Sequence, residues 1–184
     1  MTMTVTDMLD ALDRYEDALP IDDLVGLLEQ TEITLDTVRP HVRFAPDSYC
    51  RNLLRVGPTY SALILCWRCG QTSPVHDHRG SACAVRVISG TASERRYRLT
   101  ATGGLVERDV RAFAPGHVCG SYDADIHAMY NDQPGGEDLV TLHVYTPPLA
   151  DYHTYCLDTG DVRIATDHLS QTAWRKLMGQ PAAG

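Results

Sequence analysis

The first 45 residues carry apolar side chains at helical spacing. Residues 6–15 and 20–30 each place leucines three or four positions apart, the pattern of a helix with one buried face. Pro20 and the two aspartates that follow soon after it are typical of a helix start. The segment TLDTVRPHV, residues 34–42, predicts a third short helix. Residues 1–45 are therefore predicted to form a helical lead-in.

The pattern changes at about residue 48, where short β-prone runs alternate with glycine, proline, asparagine and aspartate. These runs are YCRNLLRV, YSALILCW, CAVRVIS, ASERRYRL, LVERDVRAF, HAMYN, DLVTLHVYT and DVRIAT. They predict an all-β core, a barrel or a sandwich, over residues 46–165. In the remaining tail, residues 166–184, SQTAWRKLMG predicts one or two helical turns, and QPAAG is expected to fray. No repeat or linker interrupts the chain, so we expect a single domain.

Length and charge narrow the class of protein. A chain of 184 residues and 20.3 kDa fits one domain with a sizeable core. The net charge of −8 argues against nucleic acid as a partner, because phosphate binding needs clustered basic residues. The N-terminal 20 residues carry acids where an export signal needs bases, and no run is apolar enough for a membrane span. We therefore expect a cytoplasmic protein that binds no membrane.

The six cysteines are expected to be reduced, because the chain shows no export signal and has enough core to do without disulfides. Cys66 and Cys69 form a C-x-x-C motif, but residues three apart in a strand point to opposite faces. No second pair follows at zinc-finger spacing. We interpret both as ordinary strand cysteines.

The stretch GQTSPVHDHRGSACAVRVISG, residues 70–90, contains candidate metal ligands. Its spacing is Gly70-x5-His76-x-His78-x4-Cys83-x6-Gly90, which resembles the first cupin motif with cysteine in place of the usual glutamate. Residues two apart in a strand share a face, and two imidazoles converging on an interior are unfavourable unless something binds them. Two exposed loop histidines are the alternative for a bare H-x-H.

A second segment, GSYDADIHAMYN, supplies His127-x3-Asn131, which resembles the end of the second cupin motif, although the Pro-x-Gly element is reduced to Pro115-Gly116. The two motifs together predict a cupin-type β-barrel, or jelly roll, with a metal held by His76, His78 and His127.

Further segments make the resemblance narrower. YCRNLL, ILCW, SPVHDH, Cys83 and LHVYTPP together resemble the cysteine dioxygenase family of thiol dioxygenases, in similar order and spacing from about residue 48 to 150. The resemblance implies that three histidines hold Fe(II) and that L-cysteine and O2 become cysteine sulfinic acid. It implies a small-molecule thiol and O2 as partners, and we expect a monomer.

Arg51 is the residue that the resemblance assigns to the substrate carboxylate. In a strand Tyr49 and Arg51 share a face, and a guanidinium fork can grip a carboxylate through two parallel bonds. Tyr49 is therefore a second candidate for substrate contact. A surface arginine is the default alternative for any single arginine.

Thr141, His143 and Tyr145 share a face of the strand TLHVYT by its period of two. The resembling family has a Ser-His-Tyr series here, which implies that His143 and Tyr145 position oxygen intermediates. A threonine hydroxyl can make the same hydrogen bond to His143 as a serine. The alternative is a polar row that faces water.

The resemblance also implies two local features, a side-chain crosslink and a cis peptide bond. Cys83 and Tyr145 match a cysteine and a tyrosine that become joined by a thioether bond in eukaryotic members, whereas Cys83 could simply be a small buried apolar residue. The resemblance also implies a cis Thr146-Pro147 bond.

The other histidines, His41, His117, His153 and His168, are predicted not to be ligands. His41 follows a proline in the lead-in, His117 lies in a Pro-Gly turn, and His153 and His168 lie beyond the barrel motifs. Asp77 should point away from the metal and could anchor the strand.

Other functions stay open at this point. One is dioxygenation of another small thiol, such as 3-mercaptopropionate. A more distant one is a non-oxidative zinc or manganese cupin, either an isomerase or a binding module.

Overall fold

The computed structural model describes residues 2–122 and 125–179. Four α-helices lie in these ranges, and a 3-10 turn, Arg39–His41, directly follows the third. The helices are α1 Val5–Leu12, α2 Ile21–Gln30, α3 Leu35–Val38 and α4 His168–Leu177. The three predicted helices of the lead-in are confirmed. No described helix has the length and apolar character needed to cross a membrane.

Eleven β-strands lie in the described ranges. The strands are β1 Cys50–Val56, β2 Ser61–Trp67, β3 Val75–His76, β4 Ala82–Ser89, β5 Ala92–Leu99, β6 Leu105–Phe113, β7 Val118–Ser121, β8 Ile126–Tyr130, β9 Leu139–Thr146, β10 Asp151–Tyr155 and β11 Val162–Thr166. The predicted all-β core with a helical lead-in is confirmed.

The strands form two antiparallel sheets. One has the order β1-β2-β9-β4-β7, and the other has the order β11-β10-β3-β8-β5-β6. Strands far apart in sequence therefore lie side by side, as β4 and β9 do, and the candidate residues come together on the inner faces of the two sheets.

Strands β2 and β9 are buried on both faces, which explains why they read as nearly continuous apolar runs. Leu142 and Val144 of β9 pack with the helices of the lead-in, in one apolar cluster that includes Leu24 and Leu28. Tyr145 belongs to a different cluster, inside the barrel. The alternation of side chains along β9 therefore turns Thr141, His143 and Tyr145 inward, as predicted.

Three strands are absent from the β-prone runs of the sequence, although a strand was expected around His76 and His78. Strand β3 has only two residues, and β10, with the sequence DYHTY, is too polar to show an apolar alternation. Strand β7 contains Gly120, which weakens a strand signal. A Cβ at Gly120 would lie 2.7 Å from Cγ1 of Ile21, so glycine lets α2 pack directly on this strand.

The end of the chain differs from its prediction. Helix α4 has ten residues, more than the one or two turns expected, and Nε1 of Trp174 donates to the carbonyl of Pro58 at 2.9 Å. The segment QPAAG, which was expected to fray, lies outside the described residues. The predicted cis bond is confirmed at Thr146-Pro147.

Candidate metal centre

Three histidines converge inside the barrel. His76 on β3 is the direct cross-strand partner of His127 on β8, so their side chains share a face. His78 follows two positions after His76, beyond the end of the short strand. One ring nitrogen from each histidine lies within 4.8 Å of the other two, and the Nε2 atoms of His78 and His127 are 3.2 Å apart. The residues predicted as ligands are thus brought together.

The outward-facing ring nitrogens of two of these histidines have fixed partners. Nδ1 of His76 lies 2.9 Å from the carbonyl oxygen of Pro74, and Nδ1 of His127 lies 2.6 Å from Oε1 of Glu94. A carbonyl and a carboxylate only accept hydrogen bonds, so both Nδ1 atoms carry the proton. The Nε2 lone pairs of both rings are therefore available for a metal.

His78 is held more loosely. Its Nδ1 lies 3.4 Å from Oγ of Ser121, at the end of β7. The pKa of His76 is lowered to about 3, mainly by burial and then by the neighbouring His127. The same two causes hold the pKa of His78 well below its ordinary value. Both imidazoles are neutral near pH 7, which is the form that coordinates a cation, and the three residues fit a metal.

A hydrogen-bonded chain runs behind this cluster. Nε1 of Trp67 donates to Oγ1 of Thr141 at 3.1 Å, and Oγ1 lies 3.1 Å from Nε2 of His143. Since indole can only donate, the hydroxyl proton of Thr141 is free to be donated to His143. Burial, and next the charge of Arg51, hold the pKa of His143 well below its ordinary value. The ring is neutral and fixed in orientation.

Cys83 and Tyr145 are direct cross-strand partners on β4 and β9, and each is only 1% exposed. Cross-strand partners have Cβ atoms about 4.5–5.5 Å apart, so these two side chains are neighbours on the inner face. The Cys83 Sγ also lies 3.9 Å from Nδ1 of His143. Burial raises the pKa of the Cys83 thiol and of the Tyr145 phenol, so both are protonated near pH 7.

Arg51 and Tyr49 line the same pocket as the three histidines, His143 and Tyr145. The Tyr49 ring stacks on Trp67 with a centroid distance of 4.2 Å. The guanidinium carbon of Arg51 lies 5.7 Å from the centre of the Tyr145 ring. Burial alone would lower the pKa of Arg51, but Tyr145, Asp167 and Tyr49 raise it above its ordinary value. The pocket therefore has a permanent positive charge beside the histidines.

Asp77 lies between two of the clustered histidines and turns the other way, as predicted. Its carboxylate accepts from the backbone N–H of His153 at 2.9 Å, from Nδ1 of His153 at 2.7 Å and from the Tyr155 hydroxyl at 2.8 Å. Asp77 thus anchors β10 beside β3. His153 lies on β10 and, as predicted, is not part of the cluster of histidines among the described residues.

Sequence reasoning missed several polar partners in the site: Glu94, Ser121, Asp167 and Trp67. Glu94 had a signal, because it is two positions from Ala92 in an alternating strand and so shares its buried face. Asp167 had none, since it is 116 positions from its partner Arg51. The contact exists only because α4 returns to β1.

Two solved structures resemble the fold. One is a Klebsiella pneumoniae protein with a double-stranded β-helix domain, with a TM-score of 0.51, 18% identity, and coverage of 70% of this chain and 87% of that one. The other comes from Thermus thermophilus, with a TM-score of 0.51, 18% identity, and coverage of 60% of this chain and 94% of that one. These neighbours support the cupin-type fold alone.

Comparison of sequences is more specific. Human cysteine dioxygenase type 1 is 25% identical over 148 residues, covering 78% of this chain and 74% of the human protein. The Danio rerio protein of the same name is 24% identical over 164 residues, covering 85% and 81%. The family model described as "Cysteine dioxygenase type I" matches residues 3–157. With most of its length matched and with three histidines gathered in a cupin-type barrel, this chain belongs to the cysteine dioxygenase type I family.

Proposed function

We propose that the protein is an Fe(II)-dependent dioxygenase that adds both atoms of O2 to the sulfur of L-cysteine and yields cysteine sulfinic acid. One observation carries the proposal. A cluster of three histidines and a charged arginine line a single pocket, where a metal and a carboxylate could be held together. Membership of the family makes a small thiol and O2 the expected substrates.

His76, His78 and His127 are the proposed ligands, through their Nε2 atoms. Ferrous iron, when bound there, supplies a redox-active centre at which a thiolate and O2 can meet. Neutral imidazoles add no negative charge, so the site favours an anionic sulfur as a further ligand. Imidazole alone does not select iron over zinc, and the choice of iron rests on the family.

Arg51 is proposed to hold the substrate carboxylate, with Tyr49 on the same side of the pocket. A guanidinium presents its donors in a plane and can bind a carboxylate through two parallel hydrogen bonds. This fixes one end of L-cysteine and directs its thiol toward the histidines. Cysteamine lacks the carboxylate and cannot use this contact.

His143 and Tyr145 are proposed to orient the reacting groups. Tyr145 keeps its phenolic proton, so it can donate a hydrogen bond into the pocket. His143 is neutral and is hydrogen-bonded to Thr141, which fixes the orientation of its ring. The threonine thereby makes the contact expected of the serine in other family members.

The test is oxygen uptake by anaerobically purified, iron-loaded protein given L-cysteine, cysteamine and 3-mercaptopropionate in parallel. We expect fastest uptake with L-cysteine and one sulfinic acid formed per O2, identified by mass spectrometry. Preference for 3-mercaptopropionate would favour a different thiol dioxygenase. Bound zinc or manganese, with no uptake for any thiol, would favour a non-oxidative cupin.

The Glu94 carboxylate gives a separate prediction about metal affinity. Glu94→Gln keeps an oxygen that can accept a hydrogen bond from Nδ1 of His127. It removes the negative charge that makes this imidazole a stronger electron donor to the metal. We expect the affinity for Fe(II) to fall by about 10–100-fold, the usual effect of losing such a partner. Titration against a chromogenic chelator measures this directly.

Glu107→Gln is the matched control, because Glu107 is exposed on the neighbouring strand β6. Equal affinities in the Glu94→Gln variant and the wild-type protein would show that the contact with His127 does not tune the metal.

The pair of Cys83 and Tyr145 gives a prediction about covalent chemistry. A bond from Sγ to the ring carbon beside the phenol hydroxyl would release the thiol hydrogen and one ring hydrogen, with two electrons passing to O2. Incubation with iron, L-cysteine and air should produce a species lighter by two hydrogens in intact-mass analysis. The species should be absent in Cys83→Ser and in Tyr145→Phe. Peptide mapping that finds only free Cys83 thiol after many turnovers would rule out the bond.

A further inference from the structure

Asp167 contacts Arg51, which lines the proposed substrate pocket, from a part of the chain that the family match does not cover. That match ends at residue 157. Asp167 is only 5% exposed, and its Oδ2 accepts a hydrogen bond from Nη2 of Arg51 at 2.8 Å. The side chain of Arg51 is itself only 22% exposed, so this is a largely desolvated ion pair.

The position of this carboxylate is set by its surroundings on both sides. The backbone N–H of Asp167 donates to the carbonyl of Ala150 at 2.7 Å. Its Oδ1 accepts from the backbone N–H of Ser170 at 3.4 Å, as the N-cap of α4. Helix α4 is held in turn by the bond from Trp174 to Pro58. One oxygen thus serves the helix and the other serves the arginine.

We infer that Asp167 is a positioning residue that orients Arg51 for a substrate carboxylate and so sets the preference for thiols that carry one. The inference rests on the proposed function, in which Arg51 is the carboxylate-binding group. An arginine has five N–H donors, and the bond to Asp167 uses only Nη2, so further donors stay available for substrate. A buried guanidinium without this partner would be poorly solvated and free to turn.

Two other roles predict different results. If Asp167 competed with the substrate for the guanidinium, its removal would strengthen binding of L-cysteine. If it served only to dock α4, its removal would weaken the binding of all thiols equally and lower the thermal stability of the protein. The sign of the effect and its dependence on the substrate carboxylate therefore separate the three roles.

Asp167→Asn is the informative variant, because asparagine is as good an N-cap as aspartate and the helix keeps its cap while the charge is lost. Its KM and kcat are measured with L-cysteine and cysteamine, together with the Kd of L-cysteine by anaerobic calorimetry on the iron-loaded protein. We expect KM and Kd for L-cysteine to rise about tenfold, the effect of one charged hydrogen bond, and the constants for cysteamine to stay within about twofold. Asp167→Glu restores the charge and should recover part of the loss.

The matched control is Asp10→Asn, which removes an exposed aspartate that pairs with Arg55, on the same strand as Arg51. The KM and kcat of this variant should match those of the wild type for both L-cysteine and cysteamine. Equal losses for both thiols, tighter binding of L-cysteine, or no change in Asp167→Asn would each overturn this inference alone. A wild-type protein that neither binds nor oxidises L-cysteine would overturn the proposed function together with it.

Discussion

Replacing His127 with alanine is expected to abolish oxygen uptake with L-cysteine and to reduce bound iron to background. Three ligands leave no redundancy, and His127 lies directly opposite His76 on the neighbouring strand, so its loss opens one side of the cluster. The same result is expected for His76→Ala and His78→Ala. Elemental analysis after anaerobic loading and an oxygen electrode measure the two quantities independently.

His153→Ala is the control for this series. Its ring binds the Asp77 carboxylate on the far side of β3, so iron content and uptake should match those of the wild type. The cost should appear only in stability, as about 1 kcal/mol for a lost hydrogen bond. Stoichiometric iron and full activity in His127→Ala would remove the ligand assignment.

Arg51→Ala is expected to weaken the use of L-cysteine far more than that of cysteamine. Losing a charged contact in a desolvated pocket costs about 2–5 kcal/mol, which should appear in kcat/KM for the substrate that has a carboxylate. The variant also leaves the buried carboxylate of Asp167 without its cation, so we expect lower thermal stability. The ratio of the two kcat/KM values is the measurement, because a general loss of folded protein cancels from it.

Arg51→Lys makes this test sharper. Lysine keeps the charge but cannot present two parallel donors. The ratio of kcat/KM for L-cysteine to that for cysteamine should therefore fall between the ratios of the wild type and the alanine variant. A ratio unchanged from wild type in Arg51→Ala would mean that Arg51 has a structural role and binds no carboxylate.

Much of the fold could be predicted because local patterns were strong. The runs ASERRYRL and LVERDVRAF have the same bounds as β5 and β6, since alternation and flanking turns mark both ends. Strands β3, β7 and β10 could not be found in this way. They are short, polar or interrupted by glycine, and they are strands because of their neighbours in the sheets rather than their own preferences.

In the candidate site, too, some residues could be predicted from local patterns and others could not. The histidines could be proposed from the spacing of two motifs, each of which lies within a short segment. Their supporting partners come from distant parts of the chain, with Glu94 33 positions from His127 and Ser121 43 positions from His78. Such contacts depend on which strands become adjacent, and a single sequence does not encode that in any local pattern.

Strand β9 has one further consequence, for how this protein can vary over evolution. Its residues alternate between two apolar clusters, so Leu142 and Val144 meet the helices while His143 and Tyr145 face the pocket. A change of side-chain volume on the helix side shifts the backbone that also holds the pocket side, because protein interiors are close-packed. Selection on the pocket therefore also constrains helix residues such as Leu28, which do not line it, and the lead-in cannot drift independently of the barrel.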